Sequence, residues 1–469
     1  MRRLLAALAL VLPIALAAAP AADARPARDI AAVAVHPWQM VDSQSRERTF
    51  DGIAAAGVRS VRIDLPWSWV ERRDPAQNGG HRDWSRLDPF VEAATRRGLR
   101  VIAVVGYVPP WASTTGDLWS YPKREPFEAF YAAALRHWPE IAAWELWNEP
   151  NLARFSKPGP DAARFVEFMR SARGVHDRIG SASKLISGGL APYGGVAVNA
   201  WLDAVAIRGG LNLIDGFGMH PYSGAAPDDP RSWMMQLEAL HERLGELGRP
   251  DLPLWLTEYG APVMTSANGY GPALDEQQQA ARLRTAYALA TRYDWIENLT
   301  WYEFRDSCAD AADPECRFGV VRADHSRRPS FDALRGVTAG AVAPLQPRLQ
   351  VSTKIGTRRA IVARASKRRA GKGRHRAQRK RRTLYRITVS GRLSLPGTPW
   401  PNTVLTILLP ERDGSPRVVR VQVKEGIFWA RFEGAGLRPG TLAASYAGSA
   451  LYRPLTLQVP VATSVTTRR

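Results

Sequence analysis

The sequence contains little cysteine, only Cys308 and Cys316 among its 469 residues. Two cysteines with no suitable histidine nearby make a poor metal site, which argues against a zinc-type scaffold. In an oxidising compartment the two should form a disulfide that closes a short surface loop, with a stabilisation of about 2–3 kcal/mol from loop entropy. The pair therefore indicates export and suggests no catalytic role.

Long apolar runs are absent after the start of the chain. The sequence opens with Met1-Arg2-Arg3, continues with an apolar stretch from Leu4 to Ala19, and then offers Ala22-Asp23-Ala24 as a cleavage site. This order predicts a secretory signal peptide over residues 1–24, with an uncleaved anchor as the alternative. No later segment approaches the roughly 20 apolar residues of a membrane-spanning helix. We therefore expect a secreted or extracellular protein that could associate with the cell surface, with no integral membrane span after signal cleavage.

Acidic residues are missing from one stretch of the chain. Thirteen Lys or Arg and no acid lie between Arg358 and Arg382, and without them the formal net charge falls from +20 to +7. Dense positive charge can bind nucleic-acid phosphates, but this stretch has no interleaved aromatic residue and the chain carries an export signal, so no nucleic-acid partner is expected. Two interpretations stay open: a tether to an anionic cell-envelope polymer, and a merely solvated linker.

Residues 25–340 alternate short β-rich runs with longer segments whose apolar positions recur at helical spacing. Eight such runs predict an α/β fold, a (β/α)₈ TIM barrel. A doubly wound open sheet is the alternative, but no glycine-rich phosphate loop follows the first run. The candidate strands are Ala31–Val35, Ser60–Leu65, Arg100–Val105, Ala142–Leu146, Leu185–Gly188, Gly216–Met219, Leu254–Leu256 and Leu299–Trp301.

The character of the sequence changes after residue 340. Residues 341–356 predict a linker that could include a first strand, and residues 357–383 form a basic segment that we expect to be disordered. Residues 384–463 contain β-like runs separated by turn residues, which predict a small all-β sandwich. The stretch from Leu437 to Tyr452 resembles the closing strands of bacterial immunoglobulin-like repeats, where a Tyr-x-Gly-Ser turn links two strands. That resemblance implies an immunoglobulin-like spacer or adhesion module.

Two short stretches place a glutamate where an apolar run ends and turn residues begin. Cleavage of a sugar–sugar bond needs two such carboxyl groups, one to protonate the leaving oxygen and one to attack or stabilise an oxocarbenium-like centre. Glu149 and Glu258 are therefore the candidate catalytic pair. The stretches are Trp144-Glu145-Leu146-Trp147-Asn148-Glu149-Pro150-Asn151 and Trp255-Leu256-Thr257-Glu258-Tyr259-Gly260.

The active site of a parallel barrel lies at the carboxyl ends of its strands. The exits of the other candidate strands carry aromatic and polar residues, and a sugar site needs both, because aromatic faces cover pyranose rings while polar groups bind hydroxyls. Neither a metal nor an organic cofactor is needed for this chemistry. Glu145 is interpreted as structural and Glu303 as a solvated loop acid. The exit residues are His36, Trp38, Arg62, Trp67, Tyr107, Trp111, His220, Tyr222, Trp301 and Glu303.

The two glutamate motifs resemble those of the retaining (β/α)₈ glycoside hydrolases of clan A, above all families 39 and 5. The resemblance covers roughly residues 29–334. It implies an O-glycosidase that cleaves β-linked bonds of a polysaccharide or oligosaccharide by double displacement, with Glu149 as acid/base and Glu258 as nucleophile. The alternative is a non-catalytic polysaccharide-binding or cell-surface adhesion protein on the same fold.

The resemblance also implies supporting roles around this pair. Asn148 would bind the sugar 2-hydroxyl, Tyr222 would contact the nucleophile, Arg62 would lie near it, and Trp301 would form the floor of the cleaved-sugar subsite. Arg62 and Tyr222 should keep Glu258 ionised. The remaining substrate-binding candidates are His36, His220 and Trp111, although both histidines could instead be hydrogen-bonded scaffold residues.

Overall fold

The computed structural model of the chain describes residues 26–40, 42–229, 231–267, 269–310, 312–341, 347–363, 379–395, 403–448 and 452–461. The predicted signal peptide, residues 1–24, lies outside these ranges. In the described part of the chain, no helix combines the length and the apolar character needed to cross a membrane.

Eight parallel strands form the first sheet, and its two ends approach each other. The strands are β1 (Ala31–Val35), β2 (Ser60–Pro66), β3 (Arg100–Gly106), β4 (Ala143–Asn148), β5 (Lys184–Gly189), β6 (Phe217–Met219), β7 (Leu254–Tyr259) and β8 (Ile296–Trp301). They run in the order β5-β4-β3-β2-β1-β8-β7-β6. Isolated parallel bridges, Ile186 to Gly216 and Leu190 to Met219, connect the two outer strands, so the sheet curves into a nearly closed barrel.

Helices lie between these strands and follow them. They are α1 (Ala27–Ile30), α2 (Ser43–Ala55), α3 (Trp67–Val70), α4 (Asp88–Thr95), α5 (Arg124–His137), α6 (Ala162–Ile179), α7 (Val198–Ala206), α8 (Leu237–Glu246), α9 (Glu276–Ala290) and α10 (Pro329–Thr338). The longest, α6, is capped at both ends. Asp161 accepts from two backbone N–H groups of its first turn, and Gly180 ends it with a φ of 70°. Such caps fix where each helix stops and the next strand begins.

The barrel strands are covered on both faces. All five residues of β1 and all seven of β2 are buried. Strands in this position appear in a sequence as nearly continuous apolar runs, which is why they could be recognised. Each observed strand overlaps its predicted range, and the predicted (β/α)₈ barrel is confirmed. The largest differences, three residues each, are at the end of β7 and the start of β8.

Antiparallel strands follow the barrel in two small sheets. The strands are β9 (Arg348–Ala363), β10 (Arg379–Ser394), β11 (Thr403–Leu409), β12 (Arg417–Val423), β13 (Ile427–Gly434), β14 (Gly440–Tyr446) and β15 (Leu455–Val461). The sheets have the orders β13-β10-β9 and β12-β11-β14-β15. The predicted all-β region is confirmed, although β13 was missed. Its immunoglobulin-like character stays a prediction.

The expected disorder of residues 357–383 is wrong at both ends of that segment. The strand β9 extends to Ala363, where it pairs with Arg379 at the start of β10. Backbone hydrogen bonds hold such a ladder together, and a strand tolerates long cationic side chains that project into solvent. Residues 364–378 lie outside the described part of the chain. The strand β9 begins at Arg348, inside the range where a linker with a possible first strand was predicted.

Cys308 and Cys316 form the predicted disulfide. Their Cα atoms are 4.8 Å apart, and the bond closes the loop that follows β8. Because β8 ends at Trp301, this loop is anchored at the same rim of the barrel as the other strand exits.

Candidate active site

The carboxyl ends of three barrel strands bring one group of ionisable side chains together. Glu149 directly follows β4, His220 directly follows β6, and Glu258 is the penultimate residue of β7. Because parallel strands end at the same rim, these residues meet although they are far apart in sequence. One carboxylate oxygen of Glu149, one of Glu258 and one ring nitrogen of His220 all lie within 4.8 Å of one another.

Glu258 is held at both of its carboxylate oxygens. Nη1 of Arg62 donates to Oε1 at 2.8 Å, and the hydroxyl of Tyr222 donates to Oε2 at 3.1 Å. The side chain of Glu258 nevertheless remains 12% exposed. The carboxylate is therefore fixed in orientation and still reachable from solvent.

Glu149 occupies an unusual backbone conformation. Its φ is 42°, in the left-handed region that residues other than glycine rarely adopt. Nδ1 of His220 donates to Glu149 Oε1 at 3.0 Å, so Oε2 is the oxygen that His220 does not occupy. Strained backbone of this kind concentrates at functional sites, where the surrounding structure enforces it.

Arg62 links the two glutamate motifs from inside the barrel. The buried guanidinium donates from Nε to Glu145 at 2.6 Å, from Nη1 to Glu258, and from Nη2 to Asn148 Oδ1 at 3.1 Å. A planar guanidinium offers these donors in one fixed geometry. Since the oxygen of Asn148 accepts from Arg62, its amide NH₂ group is left as a donor for a ligand.

The charges of this group perturb one another. Burial alone would raise the pKa of Glu145, but Arg62 and His220 outweigh it and lower that pKa to about 2. Burial alone would lower the pKa of His220, but Glu258, Glu145 and Glu149 raise it to about 9. At neutral pH the group therefore contains an ionised Glu145 and two cations, Arg62 and His220.

Burial raises the pKa of Glu258, and the nearby Glu149 and Glu145 raise it further. His220 and Arg62 act in the opposite direction without cancelling the rise. The expectation that Arg62 and Tyr222 would keep Glu258 ionised therefore leaves out burial and the two neighbouring carboxylates. A proton on Glu149 would remove one neighbouring negative charge and so favour ionisation of Glu258.

A second buried cluster adjoins the first at the exits of β1, β2 and β8. Nδ1 of His36 donates to Asp64, and the hydroxyl of Tyr107 donates to the other oxygen of Asp64 at 2.9 Å. Nε2 of His36 lies 3.7 Å from Glu303. Glu303 is fully buried, and burial raises its pKa to about 7. The expectation of a solvated loop acid at Glu303 is therefore wrong.

Aromatic rings lie beside both clusters. Trp38, which is 42% exposed, stacks on His36 with 4.9 Å between ring centroids. Its ring lies 5.8 Å from that of Tyr107, which lies 4.5 Å from that of Trp119. Tyr222, whose hydroxyl donates to Glu258, has the rings of Tyr270 and Tyr302 as neighbours.

Six of the nine predicted catalytic and substrate-binding residues form this contact network: Arg62, Asn148, Glu149, His220, Tyr222 and Glu258. His36 belongs to the adjoining cluster. Trp111 is only half-buried, but it packs edge-on against Trp67 and its indole N–H donates to the backbone oxygen of Glu71 at 2.9 Å. Neither contact joins Trp111 to the network around Glu149 and Glu258, so its substrate-binding role stays a prediction.

Trp301 does not form the floor predicted for it. Its side chain is fully buried, and it packs edge-on against Tyr259. Successive residues of an extended chain point in opposite directions, so the ring that reaches the site belongs to the next residue. Tyr302 is partly exposed and lies 5.4 Å from His36 and 6.4 Å from Tyr222, measured between ring centroids.

Trp119, Tyr270 and Tyr302 were not singled out from the sequence as rim residues. Trp119 and Tyr270 lie in loops, far from any strand exit, and no periodic signal marks them. Tyr302 could have been found by extending the alternation of β8 one residue further. The structural interpretation of Glu145 is consistent with its complete burial against Arg62.

The triad of Glu149, His220 and Glu258 has the spacing of a metal site, but its chemistry does not fit one. Both ring nitrogens of His220 already have partners, Nδ1 the carboxylate of Glu149 and Nε2 the hydroxyl of Thr257. Glu258 already accepts hydrogen bonds from Arg62 and Tyr222 at its two oxygens. The arrangement therefore favours acid–base and nucleophilic chemistry.

Comparison with known proteins returns glycoside hydrolases. The chain is 25% identical over 219 residues to a β-xylosidase of Geobacillus stearothermophilus. This match covers 41% of each protein, so the chain spans about two fifths of the length of that relative. No protein-family model matches.

Two solved structures share the fold. One is a family 39 glycoside hydrolase from Bacteroides cellulosilyticus WH2, with 20% identity, a TM-score of 0.55 and coverage of 87% of this chain and 80% of that one. The other is a family 39 β-xylosidase from Caulobacter crescentus, with 14% identity, a TM-score of 0.52 and coverage of 88% and 96%. The predicted resemblance to family 39 is confirmed as a similarity.

Proposed function

We propose that this protein is a secreted retaining glycosidase that hydrolyses β-linked glycosidic bonds by double displacement. The observation that carries the proposal is the close approach of Glu149 and Glu258, two carboxylates from β4 and β7 with an oxygen–oxygen distance of at most 4.8 Å. Retaining enzymes hold their carboxyl groups about 5–5.5 Å apart, whereas inverting enzymes need about 6.5–9.5 Å to admit a water molecule.

In the first step Glu258 attacks the anomeric carbon of the substrate. A bond forms between the carboxylate oxygen and this carbon while the bond to the leaving oxygen breaks. Glu149 donates its proton to that oxygen from Oε2, since Oε1 is occupied by His220. Arg62 and Tyr222 orient the attacking carboxylate through their hydrogen bonds to it.

In the second step water releases the sugar. Glu149, now a carboxylate, removes a proton from water, which attacks the same carbon from the face that the leaving group vacated. The bond to Glu258 breaks, and the product has the configuration of the substrate. Protonated His220 stabilises Glu149 while it is negatively charged.

The charge balance of the site supports these roles. With a proton on Glu149, the two carboxylates of Glu145 and Glu258 balance the two cations Arg62 and His220. The resting group is then neutral, as a largely buried cluster requires. The same balance explains why a third carboxyl group, that of Glu149, can lie so close to Glu258.

The substrate class follows from the rim and from the similar proteins. Aromatic rings beside the carboxylates suit the faces of pyranose rings, and the amide of Asn148 suits a sugar hydroxyl. Two of the similar proteins are β-xylosidases by name, so β-xylosides are the first substrates to assay. The disulfide between Cys308 and Cys316 supports an oxidising, extracellular location.

The test is hydrolysis of aryl β-glycosides and a panel of oligo- and polysaccharides, with the anomer of the first product identified by NMR. We expect retention, a loss of about 10²–10⁴-fold in kcat for Glu149→Gln, and no measurable turnover for Glu258→Gln. Glu140→Gln is the matched control, since Glu140 is exposed at the opposite rim, before β4.

Two outcomes would contradict the proposal. An inverted product would exclude Glu258 as nucleophile. A folded protein that binds glycans but cleaves none, with both glutamate variants binding equally, would instead assign a non-catalytic polysaccharide-binding or adhesion function to the same site.

A further inference from the structure

The outer face of the three-stranded sheet in the C-terminal region takes no part in the proposed chemistry. Along β13 the side chains alternate strictly, with Phe428 buried and its neighbours Ile427 and Trp429 exposed by 53% and 62%. A strand whose inner face packs a core normally turns polar side chains to solvent. An indole and an isoleucine placed together on the outer face therefore indicate a contact surface.

Trp429 has an uncrowded position on this face. Ser390 of β10 lies opposite it, and Ser352 of β9 lies opposite Ser390. Both side chains are small, and neighbouring strands are only about 4.8 Å apart. The indole therefore borders a shallow platform that a flat, rigid ligand can cover.

Cations flank this platform on both sides along the strands. Arg392 lies opposite Ile427, one row from Trp429. In the row on the other side of Trp429, Arg431 and Lys354 each lie opposite Thr388. All three cations are exposed. In the described part of the chain, no ion pair joins any of them to an acid.

Among the residues of this face whose side chains the structure describes, Glu433 is the one acid, and it is already neutralised. Glu433 pairs with Arg386 at 2.9 Å and with Arg358 at 3.2 Å. The charge of the surrounding chain has the same sign. Residues 347–461 contain 24 of the 64 Lys and Arg but only 4 of the 44 Asp and Glu, so their formal charge of +20 equals that of the whole protein.

We propose that this face, defined by Trp429, Ile427, Arg392, Arg431 and Lys354, binds an anionic polysaccharide. The indole would cover the apolar face of one pyranose ring, and the flanking cations would pair with carboxylate or sulfate groups of the neighbouring sugars. The choice of a polysaccharide rests on the proposed glycosidase function. A single-stranded nucleic acid would favour several stacked aromatic side chains, whereas this face offers one.

The experiment measures binding of the full chain to polymers that its proposed catalytic site does not cleave. Polygalacturonate supplies carboxylates, dextran sulfate supplies sulfates, and uncharged dextran is the neutral counterpart; all three are α-linked. We expect binding to both anionic polymers and none to dextran. Trp429→Ala should weaken binding about tenfold, with an unchanged urea unfolding transition as a check on folding.

Two further variants separate the indole from general charge. Val418→Ala removes another exposed apolar side chain, 63% exposed on β12, and should bind as the unmodified protein does. The triple variant Lys354→Gln, Arg392→Gln, Arg431→Gln should lose affinity and show a weaker dependence on salt.

Three results would overturn the proposal. In the first, Trp429→Ala binds as tightly as the unmodified protein, so that the polymer is held by diffuse charge. In the second, neutral dextran binds equally well. In the third, single-stranded DNA at equal charge concentration binds more tightly than polygalacturonate and depends on Trp429, which assigns the face to nucleic acid. Because none of these arms requires hydrolysis, their failure is distinct from failure of the catalytic proposal.

Discussion

Nη1 of Arg62 lies 2.8 Å from Oε1 of Glu258, inside a barrel where the arginine is 1% exposed. Arg62 comes from β2 and Glu258 from β7, so this contact crosses the barrel interior and not one sheet ladder. It couples the orientation of the proposed nucleophile to the packing of the barrel. Changes at Arg62 should therefore affect stability and turnover together.

Replacing Arg62 with methionine should destabilise the protein strongly. The change leaves Glu145 and Glu258 as buried carboxylates without their cation, which typically costs about 3–5 kcal/mol. Urea unfolding would measure this loss of stability. Arg59→Met is the matched control, because Arg59 is 53% exposed and its ion pair with Asp29 contributes about 0–1 kcal/mol.

The Arg62→Lys variant separates charge from geometry. It keeps the cation but cannot donate to Glu145, Glu258 and Asn148 at once. We expect it to recover part of the stability and little of the turnover. Full recovery of turnover would show that the fork geometry of Arg62 is irrelevant.

Tyr222→Phe should lower kcat about tenfold with little change in KM. The lost hydroxyl donates to Glu258 at 3.1 Å, and without this donor the carboxylate is less stable and its pKa rises further. The acid limb of the rate profile should therefore move to higher pH. Tyr259→Phe is the control, since its hydroxyl has no hydrogen-bond partner among the described residues. An unchanged acid limb in Tyr222→Phe would contradict the assignment.

Gly189→Ala should displace His220. A Cβ at Gly189, the last residue of β5, would overlap the ring of His220 and the hydroxyl of Thr257. We expect about 1–3 kcal/mol of destabilisation, together with a fall in kcat because Glu149 loses its partner. Gly159→Ala, whose new Cβ meets open space, is the control. If Gly189→Ala and Gly159→Ala had the same stability and the same turnover, the prediction that a Cβ at Gly189 displaces His220 would be contradicted.

The disulfide should support the Tyr222 side of the site. The loop between Cys308 and Cys316 contains Glu315, which accepts a hydrogen bond from Tyr270, and the ring of Tyr270 lies 6.0 Å from that of Tyr222. The double Ser variant should lose about 2–3 kcal/mol of stability and show a raised KM. A raised unfolding temperature would contradict the predicted loss of stability. An unchanged KM would contradict the predicted support of the site.

The barrel and its catalytic pair could be predicted because both depend on local signals. Strands buried on both faces produce apolar runs, and Glu149 and Glu258 directly follow or end such runs. Trp301 was assigned wrongly because a shift of one residue at a strand end reverses the direction of a side chain. That shift depends on where β8 stops, which only tertiary packing fixes.

Two features of the C-terminal strands could not be predicted from local signals. The strand β13 was missed because Ile427, Phe428 and Trp429 are apolar on both faces, which hides the period of two. The charge run over β9 and β10 suggested disorder, although backbone pairing extends to Ala363 and Arg379. In both places composition gave the wrong prediction, because it does not reveal which backbone segments pair with one another.

His220 should make the stability of the protein depend on pH between about 6.5 and 9. Its pKa in the folded state is about 9, above the usual value of 6.5, so the folded state holds the proton more tightly. The stabilisation is therefore complete below about pH 6.5 and is lost as the pH rises through about 9, with a magnitude on the order of 3 kcal/mol. Buried tyrosines do not interfere, since unfolded tyrosine titrates near pH 10.

Two measurements check this dependence on pH. Urea unfolding of the unmodified protein should show a fall in stability across the window that is clearly smaller in His220→Gln. His36 contributes the remaining fall, because Asp64 outweighs burial and raises the pKa of His36 above its usual value. NMR of the imidazole nitrogens should place the titration of His220 well above the usual histidine value of about 6.5. If His220 titrates near 6.5, it is neutral at physiological pH. The two-cation balance proposed for the site then fails, even if the catalytic glutamates are correct.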